Sequence, residues 1–269
     1  MKRKNMAAMV TSIALVGAVA VGGTLALLSQ QSKVLTNTFT AGANYEAGDF
    51  VLKEHGVNQV FTEEEGYVYG SYKQDTNLAN IKDGTEGMEG NTYGEIVPGT
   101  VLDKDPWFEL VHGDKETPDS WIVARLGKAQ LYALQQKGIT IEEVAGVDDN
   151  GAQWKIVTQD EDGNWKVSEA GITKDVFKVN EEPAPGEEQY IYFIFDHKLV
   201  DNGNGDQTTA LFTQLAAGAN AAEVNDLTLN VQGVAVQALS DEEAVLNNQG
   251  TINAIMEQAL GTWPTPLVG

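Results

Sequence analysis

The sequence predicts an all-β fold: an antiparallel β-sandwich with short peripheral helices. Three observations carry this. Short runs rich in β-branched and aromatic residues recur along the chain, clusters of Gly, Pro, Asn and Asp separate them, and there is no strand–helix–strand alternation of the kind a parallel sheet needs. The 269 residues are long enough for one large all-β domain or two small ones with a real core.

The chain opens on an export signal. Lys2, Arg3 and Lys4 form a positive start, Met6 to Leu28 carry no charge, and Thr24-Leu25-Ala26 has the small-x-small spacing that a signal peptidase reads. A retained anchor is the alternative, since such a run could cross a bilayer core of ~30 Å. Gly17, Gly22, Gly23 and several alanines make it weakly apolar, which favours cleavage between Ala26 and Leu27. The expected organisation is therefore a signal peptide over 1–26, a mature N-terminal segment over 27–42, a β-sandwich domain over 43–239 and a helical segment over 240–269.

Within the domain, Asp49–Glu54 reads as a short strand. Thr62–Glu95 is glycine-rich, acidic and poor in large aliphatics, so it reads as a long loop with one exposed strand at Tyr67-Val68-Tyr69. Pro98-Gly99 is a turn signal, and Trp107–Val111 and Trp121–Leu126 are strands on either side of a turn around Pro118, which predicts antiparallel neighbours. Lys128–Lys137 reads as a short helix with Gly138 to end it. Gln153–Val157 and Asn164–Val167 flank Asp160–Gly163 as a hairpin, with Trp154, Ile156, Trp165 and Val167 on one apolar face. After Val176–Val179 comes the acidic, proline-bearing loop Glu181–Gly186.

Tyr190–Phe195 is the most β-prone run and almost wholly apolar, so it should be a central strand covered on both faces. Asp201–Asp206 forms a turn. Leu227, Leu229 and Val231 alternate until Gly233, after which Val234 and Val236 change parity, and a β-bulge at Gly233 would restore one apolar face. Ser240–Glu243 is a capping box, and Ile252, Ile255, Met256 and Leu260 recur at helical spacing, so the chain should end in one or two short helices folded back on the sheet.

Composition excludes some classes of function. The formal charge is −22, and loss of residues 1–26, with three basic and no acidic side chains, takes it to −25. Such a charge repels nucleic acids and anionic surfaces, so no nucleic-acid partner is expected. There is no cysteine, hence neither a disulfide nor a thiolate metal site.

Catalytic chemistry has little to build on. A zincin needs two histidines on one helical face with a glutamate between them, whereas His55, His112 and His197 are widely separated and read as surface or turn residues. No Gly-x-Ser-x-Gly elbow occurs. Asp160, Asp162 and Asn164 have the 1-3-5 spacing of an EF-hand, but Trp165 stands where glycine is required and Gly171 where the bidentate glutamate belongs, which favours a plain hairpin turn. No cofactor is expected, although Asp201–Asp206 could hold Ca²⁺ weakly.

Three stretches carry a family resemblance. Gly23-Thr24-Leu25-Ala26-Leu27-Leu28-Ser29, followed by a spacer and Asn37-Thr38-Phe39-Thr40-Ala41-Gly42, closely resembles the signal and early mature segment of the TasA/camelysin group. Ile96–Pro106, with Pro98-Gly99-Thr100 and Lys104-Asp105, looks like the segment that precedes a core strand in that family. Thr208–Phe212 with Leu229–Ala238 is similar to its final strands. Residues 43–95 and those after Ser240 match weakly.

The resemblance implies export from a Gram-positive bacterium, processing by a SipW-type signal peptidase and a jelly-roll sandwich. It also implies a role as a secreted, non-enzymatic structural protein of biofilm matrix fibres. In such fibres the mature N-terminal strand of one subunit completes the sheet of the next, a β-augmentation that propagates because donor and acceptor surfaces differ. The partners implied are other copies of the chain, companion matrix proteins and, during export, the signal peptidase. The donor candidate is Leu27–Thr40, with Leu28, Val34, Leu35 and Phe39 as anchors and the polar Ser29–Lys33 between them. Two rivals stand beside it: a monomeric surface adhesin that engages a partner through 62–95, and a camelysin-like metallopeptidase.

Overall fold

Fifteen strands and two α-helices lie along the residues that the computed structural model describes, which are 29–32, 48–64, 66–83, 91, 93, 96–184, 189–219, 221, 229–238, 246 and 248–263. In chain order these are β1 (Ser29–Ser32), β2 (Phe50–Glu54), β3 (Val57–Thr62), β4 (Gly66–Gln74), β5 (Lys82–Asp83), β6 (Val101–Asp103), β7 (Trp107–Leu110) and β8 (Ser120–Gly127). There follow α1 (Lys128–Gln136), β9 (Ile139–Glu143), β10 (Trp154–Gln159), β11 (Trp165–Val167), β12 (Tyr190–Phe195), β13 (Asp206–Gln207), β14 (Gln214–Ala217), β15 (Val231–Gln237) and α2 (Gln249–Thr262). The fold is all-β, as the sequence predicts.

The strands form three sheets. The largest runs β1-β15-β8-β12-β10-β11 and is antiparallel throughout. A second runs β13-β7-β2-β5, and a third runs β3-β4-β6-β14-β9, mixed because β4 meets β6 in parallel. One face of the six-stranded sheet packs against the other two sheets. Ile122, Ala124 and Leu126 of β8, Trp154 of β10, Phe193 and Phe195 of β12 and Val231 of β15 meet Phe50, Phe108, Leu110, Leu102 and Leu215 there.

The opposite face is covered by α2. Trp121 and Val123, Val157, Trp165, Tyr192 and Ile194, and Val234 and Val236 pack with Ile252, Ile255, Met256, Ala259 and Trp263. The i, i+3, i+4, i+7 spacing of those four helical residues gives one apolar stripe. Asn248 caps the helix by accepting from the backbone N–H groups of Gly250 (2.9 Å) and Thr251 (3.4 Å). Asn253 Oδ1 accepts from the Trp165 N–H at 2.8 Å, so α2 is fastened to β11.

Because the six-stranded sheet is covered on both sides, Tyr190–Phe195 is a near-continuous apolar run, with β8 and β10 as neighbours. The same fact corrects the expected bulge. β15 pairs with β8 without a break from Val231↔Leu126 to Gln237↔Ser120, and its change of parity is a change of partner layer. Val231 and Ala235 enter the inter-sheet core, while Val234 and Val236 lie under α2. Gly233 is on the core face because a ring sits there: a Cβ at this position would lie 2.1 Å from Phe108 Cε1.

Three further expectations are corrected. The β10–β11 hairpin forms, but its apolar residues do not share a face. Register pairs Val157 with Val167 and Gln159 with Trp165, which puts Trp165 under α2 and leaves Trp154 in the inter-sheet core. β7 and β8 are not neighbours, since the loop between them crosses from one sheet to the facing one. Segment 62–95 holds more structure than the one strand expected at Tyr67-Val68-Tyr69: that strand forms but extends over the nine residues of β4, pairs with β3, and is followed by a 3₁₀ turn at Leu78–Asn80 and by β5. Its partner β3, half-buried or exposed along its length, is held mainly by backbone pairing and carries little apolar signal of its own.

The Phe108 seat yields a direct test. Gly233→Val should lower stability in urea denaturation by about 3 kcal/mol through overpacking, while Thr158→Val, at an exposed position of β10, should be nearly silent. Equal midpoints for the two variants would show that the ring does not need the glycine.

Candidate assembly site

The most consequential surface is the edge of β15 that faces away from β8. β8 occupies one edge of that strand and β1 the other, with Ser29↔Val236, Gln30↔Ala235, Gln31↔Val234 and Ser32↔Gly233 in antiparallel register. β1 also lies against β2 of the second sheet and against α2 on the outer face. It thus fills a slot whose floor is the edge of β15 and whose walls are β2 and α2. Such an edge exposes a row of backbone donors and acceptors unless a strand covers it.

Near the far end of the same layer, Arg125 is 4 % exposed. Its Nε donates to Gln232 Oε1 at 2.7 Å, and its guanidinium lies 4.0 Å from the Tyr190 ring centroid and 4.5 Å from that of Trp263. Burial pulls this group below its ordinary pKa, while Tyr190 and Tyr192 oppose the shift. The arrangement joins β15, β8, β12 and the end of α2.

Two polar clusters fix the loops. At the β2–β6–β7 corner, the buried Glu54 accepts from Lys104 Nζ and from the Asn91 N–H, each at 2.6 Å. His55 Nδ1–H donates to Asp105 Oδ2 at 2.6 Å, the His55 backbone N–H donates to Asp105 Oδ1 at 3.0 Å, and the imidazole lies 4.8 Å from the Trp107 ring. The Tyr93 hydroxyl donates to the Asp103 carbonyl at 2.7 Å. Burial, with Glu54, Asp105 and Asp103 nearby, pushes its pKa up.

The second cluster surrounds Asp201, whose carboxylate is fully buried. It accepts from the Thr117 N–H at 2.8 Å, from His112 Nδ1–H at 2.9 Å, and from the Gly203 and Gly205 N–H groups at 3.0 and 3.1 Å. Gly205 is required twice, by its φ of +73° and because a Cβ would lie 2.4 Å from the Leu110 carbonyl oxygen. Burial alone would push the Asp201 carboxyl up, but these donors outweigh it and hold it well below the usual carboxylate range.

The candidate calcium loops use their oxygens internally. Asp201 is saturated as described, and Asp206 accepts from the Val200 and Gln207 N–H groups. Asp160 accepts from the Asp162 and Asn164 N–H groups and pairs with Lys166 at 2.9 Å. Among the described residues, no group of three or more His, Cys, Asp or Glu is placed to hold a metal ion. The histidines stand apart: His55 and His112 are each bound to an aspartate in a loop-fixing cluster, and His197 pairs with Asp196 at the surface.

The cleavage pair Ala26 and Leu27 and the anchors Leu28, Val34, Leu35 and Phe39 lie outside the described residues, as do 84–90 and most of Ser240–Glu243 and its surroundings. Of the segment expected to act as donor, Ser29–Ser32 pair with β15 of the same chain. Sequence reading missed Arg125, Asp201 and Glu54 as organising residues. Arg125, alone in the apolar run Trp121–Leu126, was the one such signal open to inspection. No described helix is long and apolar enough to cross a membrane. No protein-family model, curated protein or solved structure matches the chain.

The Asp201 cluster predicts a pH dependence. A carboxyl whose folded pKa is depressed contributes stability in full above its unfolded value, about 3.9, and loses it as pH falls below that value. Asp201→Asn should lower the melting temperature at pH 7 by about 5 °C, and the gap to the parent chain should begin to narrow only as pH falls below about 4 and should close only when the folded carboxyl itself takes up a proton, well below that. A gap that stays constant across this range would place the loop's stability elsewhere.

Proposed function

We propose that this chain is an exported structural protein whose jelly-roll-like sandwich assembles into extracellular matrix fibres by donor-strand β-augmentation. Its principal partner is a second copy of itself, and no catalysis is assigned to it. The observation that carries the reading is that Ser29–Ser32, near the start of the segment expected to act as donor, has a matching sheet edge on β15 and a slot to lie in. Backbone hydrogen bonds would supply affinity there, and alternate side chains the register. The resemblance of residues 23–29 and 37–42, 96–106, and 208–212 and 229–238 to the TasA/camelysin group supports the same reading, together with the export signal and the acidic, cysteine-free composition.

A second reading, a monomeric surface adhesin, draws on the β3–β4 ribbon, where Phe61 is 61 % exposed close to the turn. It requires a partner and no polymer.

Negative-stain electron microscopy and sedimentation of chains spanning 27–269 and 43–269, in the same salt and pH, separate the two. Fibres from the longer chain alone are expected. If neither chain polymerises, even when seeded, the fibre reading fails, and Phe61→Ser becomes the variant with which to test partner binding.

A further inference from the structure

The loop that Asp201 organises reads Asn202-Gly203-Asn204-Gly205. From its geometry we infer a modification site: Asn202 and Asn204 are set to lose their side-chain amides, and Asp201 is the latch that prevents this while the loop is closed. The site stands whether or not the chain polymerises.

An asparagine followed by glycine is open to attack by its own main chain, because no Cβ on the next residue stands in the way. The glycine nitrogen bonds to the asparagine Cγ and gives up its proton, while the Cγ–Nδ2 bond breaks and ammonia leaves. The five-membered imide that remains takes up solvent water and opens to aspartate or isoaspartate. A neutral amide has become a carboxylate, and the isoaspartate form also carries an extra methylene in the main chain.

Both attacking nitrogens are held here by one oxygen. The Gly203 and Gly205 N–H groups donate to Asp201 Oδ1 at 3.0 and 3.1 Å. An imide nitrogen has no hydrogen, so ring closure at either glycine abolishes that bond and leaves a buried carboxylate short of a donor. Asp201 is also a poor acceptor for the departing proton, since its donors hold its carboxyl well below the usual carboxylate range. It cannot drift away with the loop, because the Thr117 N–H at 2.8 Å and His112 Nδ1–H at 2.9 Å anchor it from another connection. Asn202 and Asn204 are exposed, so water reaches the amides while a buried charge fixes the nitrogens. The third Asn-Gly pair of the chain, Asn150-Gly151, lies in an exposed turn where the Gly151 N–H donates to the Asp148 main-chain carbonyl at 3.1 Å. It serves as a reference within the same molecule.

Conversion works in one direction. A new carboxylate at 202 or 204 sits beside a carboxylate that is already buried, and like charges in such a site repel. The added methylene of isoaspartate moves the following N–H groups out of place for Asp201 Oδ1. Because Asp201 also holds Thr117 and His112, loss of the latch loosens the β7–β8 connection together with its own. The chain then keeps a chemical record of how often this loop has opened.

Peptide mapping by mass spectrometry of the full chain, kept warm in mildly alkaline buffer, reads each asparagine separately. In the folded chain Asn202 and Asn204 should convert at least tenfold (~10-fold) more slowly than in the same chain unfolded in urea. Asp201→Asn should raise both rates roughly tenfold, the factor expected for loss of a hydrogen bond to a charged group, and should leave the Asn150 rate as it was. Should that variant not fold, as circular dichroism would show, His112→Ala removes one anchor of Asp201 and should raise the same two rates by a smaller factor. The modified fraction, separable by its added negative charge, should melt below the parent chain. Equal rates in the folded and unfolded chains, or a folded variant that leaves the two rates unchanged or slower, overturns the latch. A modified fraction that melts with the parent overturns the loosening of the two connections.

Discussion

The placement of the Phe108 ring over Gly233 is the contact on which the architecture depends. Phe108 comes from the second sheet and Gly233 from the six-stranded one, and the ring is fully buried between Phe50, 5.6 Å away and stacked, and Trp154, 5.8 Å away and edge-on. Its backbone N–H is held by Thr208 Oγ1 at 3.0 Å. The neighbouring core-facing positions Ala124 and Ala235 are also small, so a large ring on one layer meets a hollow on the other. This complementarity sets how closely β2 and β7 approach β15, and hence the width of the slot beside it.

Polar groups do a different job. In a chain of charge −22, the buried carboxylates Glu54 and Asp201 are each surrounded by donors, and each sits where a loop must be held against a sheet. Glu54 ties Asn91 and Lys104 to the end of β2, while Asp201 gathers the β7–β8 and β12–β13 connections. Arg125 plays the corresponding part on the outer layer, sandwiched by rings instead of paired with an acid. None of these three needs a ligand to account for its position.

The fold class, the central strand at Tyr190–Phe195, the helix ended by Gly138 and the C-terminal helix on the sheet were all legible in the sequence, because burial leaves a periodic or continuous apolar trace. The errors share one cause. Alternation indicates that a strand has two unlike faces, but not how many layers are available to cover them. A sheet with a core on one side and a helix on the other therefore turned a parity change at Gly233 into an imagined bulge, and assigned Trp154 and Trp165 to a single face. The β3–β4 ribbon was obscured for another reason, since strands held mainly by backbone pairing carry little apolar signal. Of the candidate site, the pairing of Ser29–Ser32 with β15 was not legible, because those four residues have no pattern of their own.

Helix α2 covers Val234 and Val236 and forms a wall of the slot in which β1 lies. Docking of the helix and occupancy of the edge are consequently linked equilibria: the free energy by which the docked helix strengthens occupancy equals that by which occupancy strengthens docking. The cap at Asn248, the bond from Trp165 to Asn253 and the Arg125–Trp263 stack lie outside the slot's floor, yet each acts as a remote control on it.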